Sequence, residues 1–157
     1  MRKTIQDDPH GPNSSTTKET WLDLANIASA ELSSEDPAHP LEGALVADGS
    51  GGWRALKPGV QQIKLNFDSP QAIRRLHLEF QEDTVSRSQE FAIFCSQNDS
   101  ARHEVVRQQW SFSPTGSTTE VEDYAVDLQN VVAIELVLDP GRHDKGVFAS
   151  LKALRIA

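Results

Sequence analysis

The chain alternates apolar and polar residues in a series of short stretches. Such stretches cover residues 63–67, 76–80, 91–95, 124–128, 132–138 and 154–156. A period of two residues is typical of strands that bury one face. Turn-forming residues separate the stretches, as at Asp139-Pro140-Gly141. Many short strands at this spacing predict an all-β fold, either an antiparallel β-sandwich or a barrel.

The N-terminal part of the chain has a different pattern. Residues 1–18 contain turn-forming residues and no apolar period, which predicts a flexible N-terminal tail. Trp21, Leu24 and Ile27 have the spacing of an amphipathic helical turn. We therefore expect one domain at residues 19–157, a length that is ordinary for a single domain.

Composition narrows the possible classes of function. The 157 residues include 15 Lys and Arg against 23 Asp and Glu, which gives a formal charge of -8. Because a nucleic-acid binder needs a basic face, we expect no nucleic-acid partner. The single cysteine, Cys95, excludes an internal disulfide framework and a cysteine-based zinc cluster.

Neither a membrane span nor a targeting segment is indicated by the sequence. No apolar run approaches the roughly 18 residues that a membrane-spanning helix needs. Asp7-Asp8-Pro9 follows the basic start of the chain, where a signal peptide would have an apolar core. We therefore expect no membrane span and a cytoplasmic location.

Several segments follow each other in the order of one known family. Residues 28–34 are rich in Ala and Ser, and His39-Pro40, Ala44-Leu45, Asp48-Gly49 and Trp53 come after them. Residues 91–96 and 150–156 complete the pattern as later strands. Over about residues 24–157 the chain resembles discoidin domains, also called coagulation-factor C-type domains. The resemblance implies a jelly-roll-like antiparallel β-sandwich of the galactose-binding-like type. It also implies a non-catalytic module for sugars, phospholipid headgroups or proteins.

The resemblance also concerns a metal. Many discoidin-like domains hold a structural Ca²⁺ through loop carbonyls, an Asp like Asp48 and an acid in the last strand. That acid would fall at Ala153 here. Ca²⁺ needs several oxygen ligands, charged ones included. The histidines are also scattered along the sequence, so we expect no bound metal. We also expect no cofactor and interpret Asp48-Gly49 as a plain turn.

Strand alternation divides the connections between two ends of the sandwich. Counting from strand 63–67, one end receives 68–72, 96–104 and 129–131, and the other receives about 48–62, 81–90, 111–121 and 139–148. The second end has the longer loops, where binding residues usually lie. Aromatic faces suit the C–H side of a sugar, and charged groups suit its hydroxyls. The candidate ligand-binding residues are Trp53, Arg54, Glu82, Arg87, Trp110, Arg142, His143 and Asp144.

Several of these residues have a structural alternative. Trp53 can pack beneath the loops, Trp110 can belong to the core, and residues 142–145 can be a solvated loop tip. His77, on the polar side of a strand, is expected to be a surface or lightly buried residue. Cys95 is in phase with inward residues, so we expect it to pack as a small hydrophobic side chain.

Catalytic arrangements have little support in the sequence. His143 and Asp144 could assist a loop serine, but no nucleophile-elbow glycines surround one. Glu122 and Asp123 are adjacent, and adjacent strand residues point to opposite faces. We therefore expect no enzyme. The leading hypothesis is a module that binds a carbohydrate or another small polar ligand. The alternative is an intracellular protein–protein interaction module with a protein partner.

Overall fold

A computed structural model describes residues 20–46, 51–82, 87–98, 101–113, 116, 118–141 and 146–157, with Arg87 described by its backbone alone. The elements are α1 (Leu24–Ile27), β1 (Ala28–Leu32), α2 (Glu42–Leu45), β2 (Trp53–Pro58), β3 (Gln61–Gln81), β4 (Arg87–Gln97), β5 (His103–Phe112), β6 (Thr119–Asp139), β7 (Phe148–Leu151) and β8 (Ala153–Ile156). The predicted tail lies outside the described residues, so the domain boundary stays a prediction. None of the described helices is long and apolar enough to cross a membrane.

Antiparallel pairing connects the eight described strands into two sheets. The larger sheet has the order β1-β3-β6-β4-β5, and β8 pairs with β3 beside this path. β2 and β7 form a separate two-stranded ladder. β3 and β6 are each 21 residues long, and they pair from Gln61–Leu138 at one end to Gln81–Thr119 at the other.

The long β3–β6 pair folds back on itself and makes two layers. A strand rises about 3.3 Å per residue, so Glu120 and Leu138 would lie roughly 60 Å apart on a straight β6. Their cross-strand partners are Phe80 on β3 and Phe91 on β4, and these two rings stack with centroids 5.4 Å apart. The bend falls where the β3–β6 register shifts, at residues 66–75. The fold is therefore an all-β, antiparallel β-sandwich, as predicted.

Two predicted strand boundaries are wrong. Residues 63–67 and 76–80 belong to one continuous strand, and so do residues 124–128 and 132–138. Side chains change phase at the bend, since buried positions are odd-numbered up to Phe67 and even-numbered from residue 76 onward. A bent strand that changes phase beside turn-forming residues has the same sequence pattern as two strands joined by a reversing turn. For this reason the bends were predicted as turns.

The core fills the space between the layers. Its largest buried side chains include Trp53, Phe80, Phe91, Phe112, Leu76, Leu78, Ile63 and Leu65. Burying each such side chain stabilises the fold by about 1.5–3 kcal/mol. Cys95 is buried with them, as predicted, and desolvation raises the pKa of its thiol.

An ion-pair network covers the outer face of the layer made by β3, β6 and β8. Arg75 donates to both carboxylate oxygens of Asp123 at 2.7 Å. These bonds, more than the contact with His77, lower the pKa of Asp123 to about 2. His77 lies between Asp123 and Glu79, with ring nitrogens 3.1 and 2.8 Å from their carboxylates. His77 thus lies lightly buried on the outer face, as its phase predicts.

Candidate functional site

Strand ends and loops meet at one end of the sandwich, which we call the loop end. Gly141 lies against the Ser88 carbonyl, and Glu82 donates its N–H to the Thr118 carbonyl at 2.8 Å. The described loop end comprises residues 51–54, 81–82, 87–90, 109–113, 116, 118–119, 139–141 and 150–152. These segments are those that strand alternation places together, with residues 150–152 as an addition.

The opposite end is formed by the bends of the long strands. Gln97 donates from its side chain to the Gln129 carbonyl at 2.7 Å, and the Asn98 N–H donates to the Asn130 carbonyl at 3.2 Å. The predicted grouping of residues 96–98 with residues 129–131 therefore agrees with the structure. Short connections at this end leave the loop end as the better place for a ligand.

One cleft at the loop end has a volume of about 240 Å³. Typical small-molecule pockets have volumes of roughly 300–1,000 Å³, so this cleft suits a ligand of about one six-membered ring. We call it the cationic cleft, because Arg54 and Lys152 lie in its wall, together with His39. Its described lining comprises His39, Gly51, Trp53, Arg54, Gln81, Ser150, Leu151 and Lys152.

The β2–β7 ladder builds the wall of the cationic cleft. Trp53 pairs with Leu151, and Arg54 pairs with Ser150. Because strand residues alternate between faces, the first pair points inward and the second points outward. Trp53 is 1% exposed and Leu151 is 0% exposed, whereas Arg54 is exposed and Ser150 is half-buried. The outward pair therefore presents a cation and a hydroxyl to the cleft.

A loop at residues 36–39 docks on β2 and carries His39 to the same cleft. The Arg54 N–H donates to the His39 carbonyl at 3.2 Å, and the Asp36 N–H donates to the Arg54 carbonyl at 2.9 Å. The carboxylate of Asp36 accepts the Ala38 N–H at 2.9 Å and lies 3.4 Å from Nδ1 of His39. The Ala38 N–H, more than His39 and Arg54, lowers the pKa of Asp36 below its ordinary value.

Gly52 allows the chain before β2 to approach the turn between β7 and β8. Its φ is +69°, and a Cβ there would clash with the Leu151 oxygen and lie 2.9 Å from Cα of Lys152. A larger residue would therefore push the two segments apart. The Lys152 N–H also donates to the Glu79 carbonyl at 2.8 Å. Both contacts fix the backbone that carries the Lys152 side chain into the cleft wall.

The guanidinium of Arg155 secures the chain at the end of α2. It donates to the carbonyls of Ala44 and Val46, each at 2.8 Å. A positive group with several donors thus satisfies two main-chain oxygens at the end of α2. Within the described residues, no three His, Cys, Asp or Glu side chains are grouped so that they could hold a metal ion. Asp48 lies outside those residues, so the absence of calcium stays a prediction.

A second cleft at the loop end has the opposite character. Its volume is about 140 Å³, and we call it the acidic cleft because Glu90 and Asp139 supply its charge. Arg107 lies 3.3 Å from Glu90, so part of that charge is already paired. Its described lining comprises Ser88, Gln89, Glu90, Gln109, Asp139 and Gly141. The loop end therefore holds a cleft that is rich in donors and a smaller one that is rich in acceptors.

The two predicted tryptophans are packed against other residues. Trp53 is buried and donates from Nε1 to the Ser34 carbonyl at 3.3 Å. Trp110 is half-buried and contacts the rings of Phe80, Phe91 and Phe112 at centroid distances of 4.7, 5.5 and 5.6 Å. Both placements match the structural alternative. Because Trp53 is 1% exposed, its ring offers no open face for a ligand to stack on.

The other predicted site residues fall into three groups. Arg54 lines the cationic cleft. Glu82 lies at the loop end, and the backbone of Arg87 pairs with Phe112 across β4 and β5. The Arg87 side chain lies outside the described residues, and so do Arg142, His143 and Asp144 in full. Roles for all of them in ligand binding stay predictions.

Several residues of the cationic cleft were not predicted from the sequence. His39, Gln81, Ser150 and Lys152 line it but were not among the predicted site residues. Ser150 reaches the cleft through pairing of β2 with β7, two strands that lie far apart in the sequence. No local pattern signals such a pairing. Lys152, an isolated cation between two apolar strand residues, was the only one with a visible signal.

A carboxyl pair on β6 was also missed. The inward positions of β6 include Glu120, Glu122 and Tyr124, and the Tyr124 hydroxyl donates to Oε1 of Glu122 at 3.0 Å. A side-chain hydrogen bond with Glu122 raises the pKa of Glu120 to about 7. Residues two apart on a strand share a face, so this pair was visible in the sequence. Its carboxyls touch, whereas those of glycosidases are at least about 5 Å apart.

Family models and curated proteins give no match to this sequence, whereas solved structures of similar fold are found. CBM32-1 from a family 31 glycoside hydrolase of Clostridium perfringens is similar in structure, with a TM-score of 0.65 and 12% identity, over 85% of this chain and 96% of that one. The family 32 carbohydrate-binding module of C. perfringens NanJ, in complex with galactose, matches with a TM-score of 0.57 and 15% identity, over 87% and 97%.

A third similar structure comes from AlyQ. Its CBM32, in complex with 4,5-unsaturated mannuronic acid, has a TM-score of 0.57 and 16% identity, over 88% of this chain and 98% of that one. The chain spans 34% of a truncated AlyQ that has CBM32 and alginate lyase domains. Membership of the discoidin family in particular stays a prediction. At these identities the comparisons show the fold alone, an antiparallel β-sandwich.

Proposed function

We propose that this domain is a non-catalytic binding module that holds a carbohydrate in the cationic cleft. The observation that carries the proposal is the outer face of the β2–β7 ladder, where Arg54 and Ser150 stand side by side on paired strands. Rigid strands hold donors at fixed spacing, and a ligand that binds to them loses less free energy in ordering the site. Similar folds in NanJ and AlyQ are in complex with galactose and with an unsaturated mannuronic acid.

The lining of the cleft suits the hydroxyls and ring of a sugar. Arg54 and Lys152 provide charge-assisted hydrogen bonds, which are stronger than neutral ones. Gln81 offers both a donor and an acceptor, and Ser150 adds a hydroxyl. Trp53 and Leu151 close the floor with apolar atoms. The described lining lacks a carboxylate that could serve as a catalytic acid or base, which supports binding rather than hydrolysis.

A glycan array followed by an NMR titration tests the proposal. We expect a saccharide from the array to shift the backbone amides of His39, Arg54, Ser150 and Lys152. Arg54→Ala should weaken binding about tenfold, because truncation removes a charge-assisted hydrogen bond. Lys57→Ala is the matched control, since Lys57 is exposed on the same strand and does not line the cleft.

Two results would contradict the proposal. One is a purified, folded domain that binds no saccharide on the array. The other is a set of ligand-induced chemical-shift changes on residues 68–72 and 129–131, at the end of the sandwich opposite the loop end. A protein partner and a cytoplasmic location stay separate predictions, and neither is needed for this test.

A further inference from the structure

We infer that the saccharide held by the cationic cleft carries an anionic group, a carboxylate or a sulfate. The inference rests on the proposed function and specifies its ligand. The charged side chains in the described lining are Arg54 and Lys152, with His39 beside them, and the described lining contains no Asp or Glu. This cluster occurs in a chain whose formal charge is -8.

Hydrogen-bonding capacity distinguishes an anionic ligand from a neutral one. Each hydroxyl of a neutral sugar both donates and accepts, so a site for it benefits from acceptors as well as donors. The guanidinium of Arg54 and the ammonium of Lys152 donate only. A carboxylate or sulfate accepts only, and the fork of an arginine matches its paired oxygens. Acceptor groups on the ligand therefore complement this lining better than further hydroxyls do.

Neighbouring groups leave much of this positive charge available. Asp36 lies near the cleft, but it is outside the lining, and its carboxylate is engaged by the Ala38 N–H and by His39. The guanidinium carbon of Arg54 lies 6.0 Å from the centroid of the Phe148 ring. A guanidinium over a ring keeps its N–H edge open for an anion. Lys152 is exposed, so its ammonium can turn towards a bound ligand.

Galactose and galacturonic acid provide the matched pair of ligands for a test. They differ only at C6, which belongs to a hydroxymethyl group in galactose and to a carboxylate in galacturonic acid. Galactose 6-sulfate provides the sulfate. We expect at least one of the two anionic sugars to bind about tenfold more tightly than galactose, since charge-assisted bonds are stronger. Because the cleft is open to solvent, the preference should shrink as salt rises.

Variants assign the preference to the cleft. Arg54→Gln and Lys152→Gln should each remove much of the preference for the anionic sugar and change the affinity for galactose less. Lys57→Gln removes the same charge from an exposed site on β2 outside the lining, and it should keep the preference. Isothermal titration calorimetry at low and physiological salt measures each affinity, and thermal unfolding confirms that each variant is folded.

Each outcome separates this inference from the proposed function. Galactose binding in the cleft as tightly as both anionic sugars would overturn the inference and leave the proposed function standing. Failure of every saccharide to bind would overturn both. Acetate or inorganic sulfate binding as tightly as the anionic sugars would show a simple anion site. That result would overturn the claim that the ligand is a saccharide. Comparison of the two anionic sugars identifies the charged group.

Discussion

The two faces of the β2–β7 ladder differ in both burial and charge. Trp53 and Leu151 are buried on the inner face, while Arg54 and Ser150 line a cleft on the outer face. The same backbone hydrogen bonds position both pairs. The inner pair anchors the strands in the core, and this fixes the backbone of the outer pair. Substitutions on the inner face should therefore affect mainly stability, and substitutions at the adjacent outer positions should affect mainly ligand binding.

The largest expected effect is on the inner face. Trp53→Ala should lower the free energy of unfolding by about 3–5 kcal/mol, because it removes a large buried side chain and leaves a cavity. Arg54→Ala, one residue away, should change stability by no more than about 0.5 kcal/mol, as exposed substitutions usually do. Urea unfolding of both variants measures the contrast. Similar losses for the two variants would show that the faces are not energetically distinct.

Arg155 is an outward-facing residue with a structural role, so its substitution tests whether outer-face residues can also stabilise the fold. Its neighbours Leu154 and Ile156 are buried, but its guanidinium donates to the Ala44 and Val46 carbonyls. Arg155→Met should cost about 1–3 kcal/mol, since it removes the charged donor from the part-buried bond to the Ala44 carbonyl and from the exposed bond to the Val46 carbonyl. Hydrogen exchange should also become faster in residues 41–46.

A lysine at this position provides the control for charge. Arg155→Lys keeps the positive charge but cannot place a rigid fork between two carbonyls. We therefore expect the stability of this variant to fall between those of the wild-type protein and Arg155→Met. Unchanged stability in Arg155→Met would mean that the hydrogen bonds of Arg155 do not stabilise the fold.

Alternation along the chain predicted most of the faces correctly. Phe91, Ile134 and Leu136, which are apolar positions of the alternating stretches 91–95 and 132–138, are at most 2% exposed. Alternation reports only which face a residue takes, and it does not report whether a strand continues. For that reason the bends at residues 68–72 and 129–131 were interpreted as reversing turns. The grouping of loops still agrees with the structure, because a strand that folds back returns to the same end.

Prediction of the cationic cleft was less complete, for a physical reason. Arg54 was identified from the length and charge of the loops around it. His39 and Ser150 join it through hydrogen bonds and strand pairing between segments distant in sequence, which no local pattern encodes. The tryptophans were attractive as stacking surfaces because aromatic rings suit sugars. They are also the side chains that gain most from burial, and burial prevailed for Trp53.

The smallest expected effect comes from an inward position that carries a carboxyl. Glu120 faces the same side as Tyr124, and the hydrogen bond with Glu122 raises its pKa from the ordinary 4.5 to about 7. The folded protein therefore binds a proton that the unfolded chain has released at neutral pH. The resulting stability is fully present below pH 4.5 and is lost as pH rises through about 7.

Glu120→Gln isolates this contribution from the other titrating groups. The wild-type protein should lose about 1 kcal/mol of stability between pH 5 and pH 8 through this pair, after solvent screening. The glutamine variant should lose less over the same range, since its amide needs no proton to donate to Glu122. Asp127→Asn, on the outer face of the same strand, should keep the wild-type slope. Parallel stability curves for the wild-type and Glu120→Gln proteins would mean that Glu120 does not contribute to the pH dependence of stability in this range.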